Sequence, residues 1–207
     1  MLIKWIVCDV PKNKKVDFSN AQEKWGSLAN IDGFLGQIGG WDLNTSSRAG
    51  IISFWRDQLS YHKFMDQEHD KIFKEGKQKD TYERILIEIY DKKFNINNYQ
   101  ITKFLKEAKI IRVANCVVKE DKQEHFEKMQ KDIWNEEMSK YQEMLAGVFC
   151  INDQHKYLIV SLWGSVEAHQ LYVERTLPLL VENSKLEDDL IKINGTVLNL
   201  DDNWSVI

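Results

Sequence analysis

The chain carries itself twice. Sliding the sequence along itself by 108 residues, without gaps, lays Cys8 on Cys116, Val10 on Val118, Phe18 on Phe126 and Gln22 on Gln130. Farther along, Gly39 meets Gly147, Ile51 meets Ile159, Ser53 meets Ser161 and Trp55 meets Trp163. Lys4 falls on Arg112, and Lys77 and Asp80 fall on Lys185 and Asp188. A single offset held through strand-like and helix-like stretches marks a tandem repeat.

Each copy reads as the same six elements. In the first, LIKWIVCDV is apolar and β-branched, hence a strand. DFSNAQEKWGSLANI places Phe18, Ala21, Trp25, Leu28 and Ala29 at helical spacing, with Asp17 as a candidate N-cap. GFLGQIGGWDL and AGIISFW form a strand pair around the turn NTSSR. DQLSYHKFMDQEHDKIF is a second amphipathic helix, and TYERILIEIYDKKF a fourth strand. The second copy repeats the order, its last helix bent or restarted near Pro178. We expect a first repeat over 1–94, a connection over 95–108 that is polar and then weakly helical, and a second repeat over 109–207.

The order β-α-β-β-α-β is the ferredoxin-like unit, whose helices cover one face of the sheet. AGIISFW is apolar on both faces, with Ile51, Ser53 and Trp55 on one and Ile52 and Phe54 on the other. Strands buried on both sides read this way. The bare face of each repeat is therefore expected to be covered by the other. The predicted fold is α+β: two tandem ferredoxin-like repeats packed sheet to sheet as an intramolecular α/β barrel.

Composition narrows the class. The 207 residues are 43% hydrophobic and 29% charged, as in a soluble globular protein. A net charge of −4 disfavours a nucleic-acid partner, which usually calls for a basic surplus. Three cysteines make no disulfide framework and no zinc spacing, so Cys8 and Cys116 read as small core residues in a cytoplasmic protein. No stretch reaches the length of an apolar membrane span. The chain is expected as a monomeric pseudo-dimer or a homodimer.

Candidate chemistry concentrates in the first copy. His62 and His69 lie seven residues apart, nearly on one helical face. His69 suits a proton-transfer group, since imidazole titrates near neutrality; the plainer reading is a half-buried helix histidine. Leu177 stands at its place in the second copy. Gly33, Gly36, Gly39 and Gly40 clear space either for a flat ligand beside Trp41 or for close packing. Gln37 is polar in an apolar stretch and needs a partner, whether a ligand, Trp25 or backbone. Trp25, Trp41, Tyr61 and Met65 could line an aromatic pocket, although most of the aromatic set is core.

Two such units, each with a strand ending in Trp before an amphipathic helix, resemble the dimeric α/β-barrel superfamily, which includes antibiotic-biosynthesis and heme-degrading mono-oxygenases. MLIKWIVCDV, FSNAQEKW, GFLGQIGGW, FW and the YHKFM…HD run more closely resemble the YdbC-type family of bacterial proteins, most strongly over residues 1–91. The superfamily resemblance implies a ligand between helices and sheet. It also implies cofactor-independent oxygenation, in which the substrate supplies the electrons. Heme degradation would require an Asn on the first strand and a Trp and a His on the second helix. The first copy has Val7, Phe64 and His69 there, and the second Asn115, Tyr172 and Leu177. Neither set is whole, and no cofactor or metal is expected. The leading expectation is a small aromatic ligand bound by Trp25, Gln37, Trp41, Tyr61, His62 and Met65, with His69 catalytic. The alternative is a non-catalytic structural or interaction protein with a filled core.

Overall fold

Residues Leu2–Asp9 form β1, an all-apolar strand but for Lys4 and Asp9. In the computed structural model, which describes residues 1–207, it is followed by α1 (Lys15–Glu23), β2 (Phe34–Asp42) and β3 (Arg48–Trp55). The second helical segment comprises α2 (Gln58–Phe64), a wide π-turn over Met65–His69, and α3 (Asp70–Glu75). β4 (Arg84–Ile96) completes the order. The second copy runs as β5 (Ile110–Val118), α4 (Gln123–Met129) and α5 (Asn135–Met138), then β6 (Met144–Ile151) and β7 (Lys156–Trp163). α6 (Val166–Arg175), α7 (Leu177–Asn183), α8 (Leu186–Asp189) and β8 (Leu190–Leu200) close it.

The strands hydrogen-bond in the order β1-β3-β2-β8-β5-β7-β6-β4, and β4 returns to β1, forming a closed antiparallel barrel. Within it each repeat keeps the ferredoxin-like strand order, fourth-first-third-second.

The chain forms two compact units, Met1–Asp91 with Leu198–Ile207, and Lys92–Val197. The sequence pattern divides the chain linearly at 94 and 108, whereas residues 198–207 fold with the first unit. In that unit Gly40–Asp42 pair with Leu198–Leu200, and Gln37 and Val206 exchange two backbone hydrogen bonds. Gly40 makes this approach feasible, because a Cβ there would lie 1.9 Å from the Asn199 carbonyl oxygen. Gly36, at φ +141°, occupies a bulge in β2. The glycines of β2 thus serve backbone packing.

Both units start their second helix in the same way. Trp55 Nε1 donates to Ser53 Oγ at 3.2 Å, and Trp163 Nε1 to Ser161 Oγ at 3.0 Å. Asp57 and Ser165 then cap the helix by accepting from the backbone N–H three residues on. The two Trp side chains are fully buried.

Local expectations differ from the structure in three places. The first helix stays α-helical only to Glu23 and tightens into a 3₁₀ stretch over Lys24–Asn30, where Gly26 and Asn30 weaken the α form. That helix begins at Lys15, so Asp17 lies inside its first turn and pairs with Lys14 at 3.3 Å rather than capping it. The connection is helical only over Ile101–Lys103. The restart near Pro178 does occur: α6 ends at Arg175 and α7 begins at Leu177.

Candidate functional site

In the first unit, packing beneath the helices falls into two clusters. One gathers Leu2, Trp55, Tyr61 and Phe64, the other Cys8, Phe18, Ile51 and Trp204. A cavity of about 180 Å³ borders both, lined by Trp55 and Phe64 of the first and Ile51 of the second. The sheet side adds Lys4 and Ile6 from β1, Gln37 from β2, Ser53 from β3, and Ile85 and Ile87 from β4. The helical side adds Gln22, Trp25, Leu28, His69 and Phe73, with Gln78 and Tyr82 at one end. The space between helices and sheet is therefore not filled.

Lys4 is the most unusual member of this lining. It is 7% exposed and pairs across β1 and β3 with Ser53. Its ammonium meets no carboxylate. Its neighbours are the Tyr61 ring, 5.5 Å from Nζ to the centroid, and Met65 Sδ at 4.0 Å. Burial pushes its pKa down to about 8. A buried charge without a counter-ion is costly, and the lowered pKa is the measure of that cost.

Gln37 is the second unusual member. It is 5% exposed, and its Nε2 has no hydrogen-bond partner. Trp25, which the sequence offers as its partner, instead donates Nε1 to Gln78 Oε1 at 2.7 Å. That bond holds the indole against the cavity and leaves the Gln37 N–H groups unspent.

His69 is placed by the π-turn. Its ring lies 5.6 Å from Trp25 and 5.8 Å from Phe73, nearly parallel to the latter. Nδ1 faces Asp70 Oδ1 at 3.1 Å. A neutral imidazole donating from Nδ1 to a carboxylate keeps its lone pair on Nε2, the tautomer a proton acceptor needs.

Of the residues singled out from sequence, Trp25, Gln37 and His69 line the cavity, and four do not. The π-turn adds a residue to one turn and rotates the downstream residues by about 100°, so the seven-residue spacing no longer puts His62 beside His69. His62 is exposed. Tyr61 and Met65 sit behind Lys4 and support it. Trp41 packs in the other cluster, its ring 5.2 Å from Trp204 and 5.8 Å from Phe18, under the Lys15 ammonium. Lys4, Gln22 and Gln78 escape a reading that looks for aromatics and histidines. The repeat held a signal for two of them: a basic residue recurs at 4 and 112, inside apolar strands, and a glutamine at 22 and 130. Cys8 is inert, its thiol pushed up to about 12 by burial.

A family model described as a domain of unknown function, DUF4937, matches residues 2–90, the stretch that supplies every wall of this cavity. The uncharacterised protein YdbC of Bacillus subtilis strain 168 is 38% identical over 93 residues, which are 44% of this chain and 78% of that protein. The chain belongs to the YdbC family. Solved structures extend the likeness to the whole chain. A Fusobacterium nucleatum protein, provisionally named a monooxygenase, matches with a TM-score of 0.78 at 14% identity, over 96% of this chain and 91% of that one. An anthrone oxidase-like protein matches with a TM-score of 0.74 at 10% identity, over 97% and 91%. At such identities the likeness is one of fold, which this YdbC-family chain shares from end to end. No helix is long and apolar enough to cross a membrane.

Proposed function

We propose that the first-unit cavity binds a small phenol as its phenolate and promotes its oxygenation by O₂ without a resident cofactor. The observation that carries this reading is the buried Lys4 ammonium, which faces the cavity with no carboxylate of its own. A cavity of about 150 Å³ admits benzene, so about 180 Å³ suits a single substituted ring. Trp25, Trp55, Phe64 and Phe73 provide ring faces, Lys4 the counter-charge and Gln37 a hydrogen-bond donor to the ligand oxygen.

The chemistry asks only for protons to be handled. His69 accepts a proton through Nε2, and the electron-rich phenolate gives electrons to O₂. In the full reaction a phenol and O₂ yield a quinone and water: a ring C–H becomes C=O, and the second oxygen atom leaves as water. All four electrons come from the substrate. The oxidase-type names among the fold neighbours suit this reading.

The test uses 4-nitrophenol, whose anion is yellow. At a pH where the free phenol is mostly protonated, the protein is expected to raise the phenolate absorbance to saturation, and Lys4→Met to abolish the rise. No rise, or a rise unaffected by Lys4→Met, would sink the binding reading. Oxygen uptake with a series of phenols then separates an oxygenase from a binding protein.

A further inference from the structure

The second unit holds a cavity of its own, about 240 Å³, in the place that corresponds to the first. Arg112 and Gln130 line it where Lys4 and Gln22 line the other. The rest of the lining has changed character. His69, Phe73, Gln78 and Tyr82 give way to Leu177, Val181, Leu186 and Leu190. With Ile159 and Ile193 these make an aliphatic channel rather than an aromatic slot.

Its polar lining is Arg112, Gln130, Trp134 and Glu187. The Arg112 guanidinium forms no ion pair; its carbon lies 6.0 Å from the centroid of the Tyr172 ring. His169 near it is neutral, held down to about 4 by burial first and by the charge of Arg112 second. Trp134 lines the cavity from a π-turn over Gln130–Trp134, is 5% exposed, and its Nε1–H has no acceptor. The one acid in the lining, Glu187, is exposed. A guanidinium and an orphaned indole N–H in the lining of one largely aliphatic cavity suit a carboxylate with an alkyl tail.

We propose that the second-unit cavity binds a saturated monocarboxylic acid of short to medium chain. Its carboxylate sits on Arg112 with the Trp134 N–H as second donor, and its chain lies along Leu177, Val181, Leu190 and Ile193. This site is independent of the phenol reading, since the two cavities share no residue.

The test tracks indole N–H signals of the ¹⁵N-labelled full chain, with Trp134 assigned by Trp134→Phe. Octanoate is expected to move the Trp134 signal to saturation, and octanol, lacking the charge, to bind at least tenfold more weakly. Arg112→Gln is expected to weaken octanoate at least tenfold, with Arg112→Lys between it and the native protein. An unmoved Trp134 signal, equal affinity for octanol, undiminished binding by a folded Arg112→Gln, or octanoate shifts confined to the Trp25 indole of the first cavity would each overturn the proposal. If Arg112→Gln does not fold, the octanoate–octanol comparison on the unaltered protein decides.

Discussion

The two cavities occupy equivalent places in two copies of one scaffold, and they have diverged in lining rather than in framework. Both copies keep a Trp tied to a Ser two residues earlier, a capped second helix, and a first-strand base and a glutamine in the cavity lining. Each has one π-turn that delivers a lining residue, His69 in the first and Trp134 in the second. Beneath the helices of the first unit the core is split into two clusters. In the second, one cluster runs from Ile110 and Phe126 through Trp163 to Leu186. The lesson is that a duplicated fold preserves the residues that set backbone geometry. It frees those that face empty space, where a change of chemistry costs little packing.

Four predictions test that contrast, the largest effect first. Trp55→Ala and Trp163→Ala should each cost about 3–5 kcal/mol of unfolding free energy in denaturant titrations. A clear inequality would break the parity of the two frameworks.

Lys4→Met should raise stability while removing phenolate binding. A pKa lowered from 10.5 to about 8 corresponds to a penalty of about 3 kcal/mol at neutral pH. The unfolded chain holds this proton between about pH 8 and 10.5 while the folded chain has lost it, so the penalty is full below 8 and relieved as pH climbs through that window. The stability gap between Lys4→Met and the native protein should therefore narrow from pH 7 to 10. A gap constant with pH would mean that Lys4 is not held in its depressed state.

The third prediction separates the anion sites by pH. Phenolate affinity at the first cavity should fall as pH rises through about 8, when Lys4 gives up its charge. Octanoate affinity at the second should hold over the same range, because a guanidinium stays protonated there. Parallel curves by calorimetry would contradict the assignment of the two bases.

The smallest effect is that of Gln37→Leu. Removing a buried donor that has no partner should add about 1 kcal/mol of stability, yet weaken phenolate binding about tenfold. Unchanged affinity would remove Gln37 from the site.

Much of the architecture was legible because repetition reports on tertiary structure indirectly. The offset of Trp55 onto Trp163 implies a twice-used element order, which the barrel contains. The cavity was legible only in outline. Trp25, Gln37 and His69 stand out in the sequence, but a π-turn leaves no mark in hydrophobic spacing, so the sequence puts His62 on the face of His69 while the structure leaves His62 exposed. Trp41 was drawn toward the site by its glycine neighbours, which in fact admit Asn199 and Trp204. Lys4 was hidden because a lone lysine in a strand usually points to water. Its lack of a carboxylate is a property of three dimensions.

The return of residues 198–207 has a consequence for synthesis. Trp204 fills the space beside Phe18 and Trp41, with ring centroids at 5.5 and 5.2 Å. The ribosome makes the segment that closes this core long after it has released the residues that need closing. Until Trp204 has emerged, a nascent first repeat lacks the ring that packs on Phe18 and Trp41, and it is during that interval that chaperones would have most to hold.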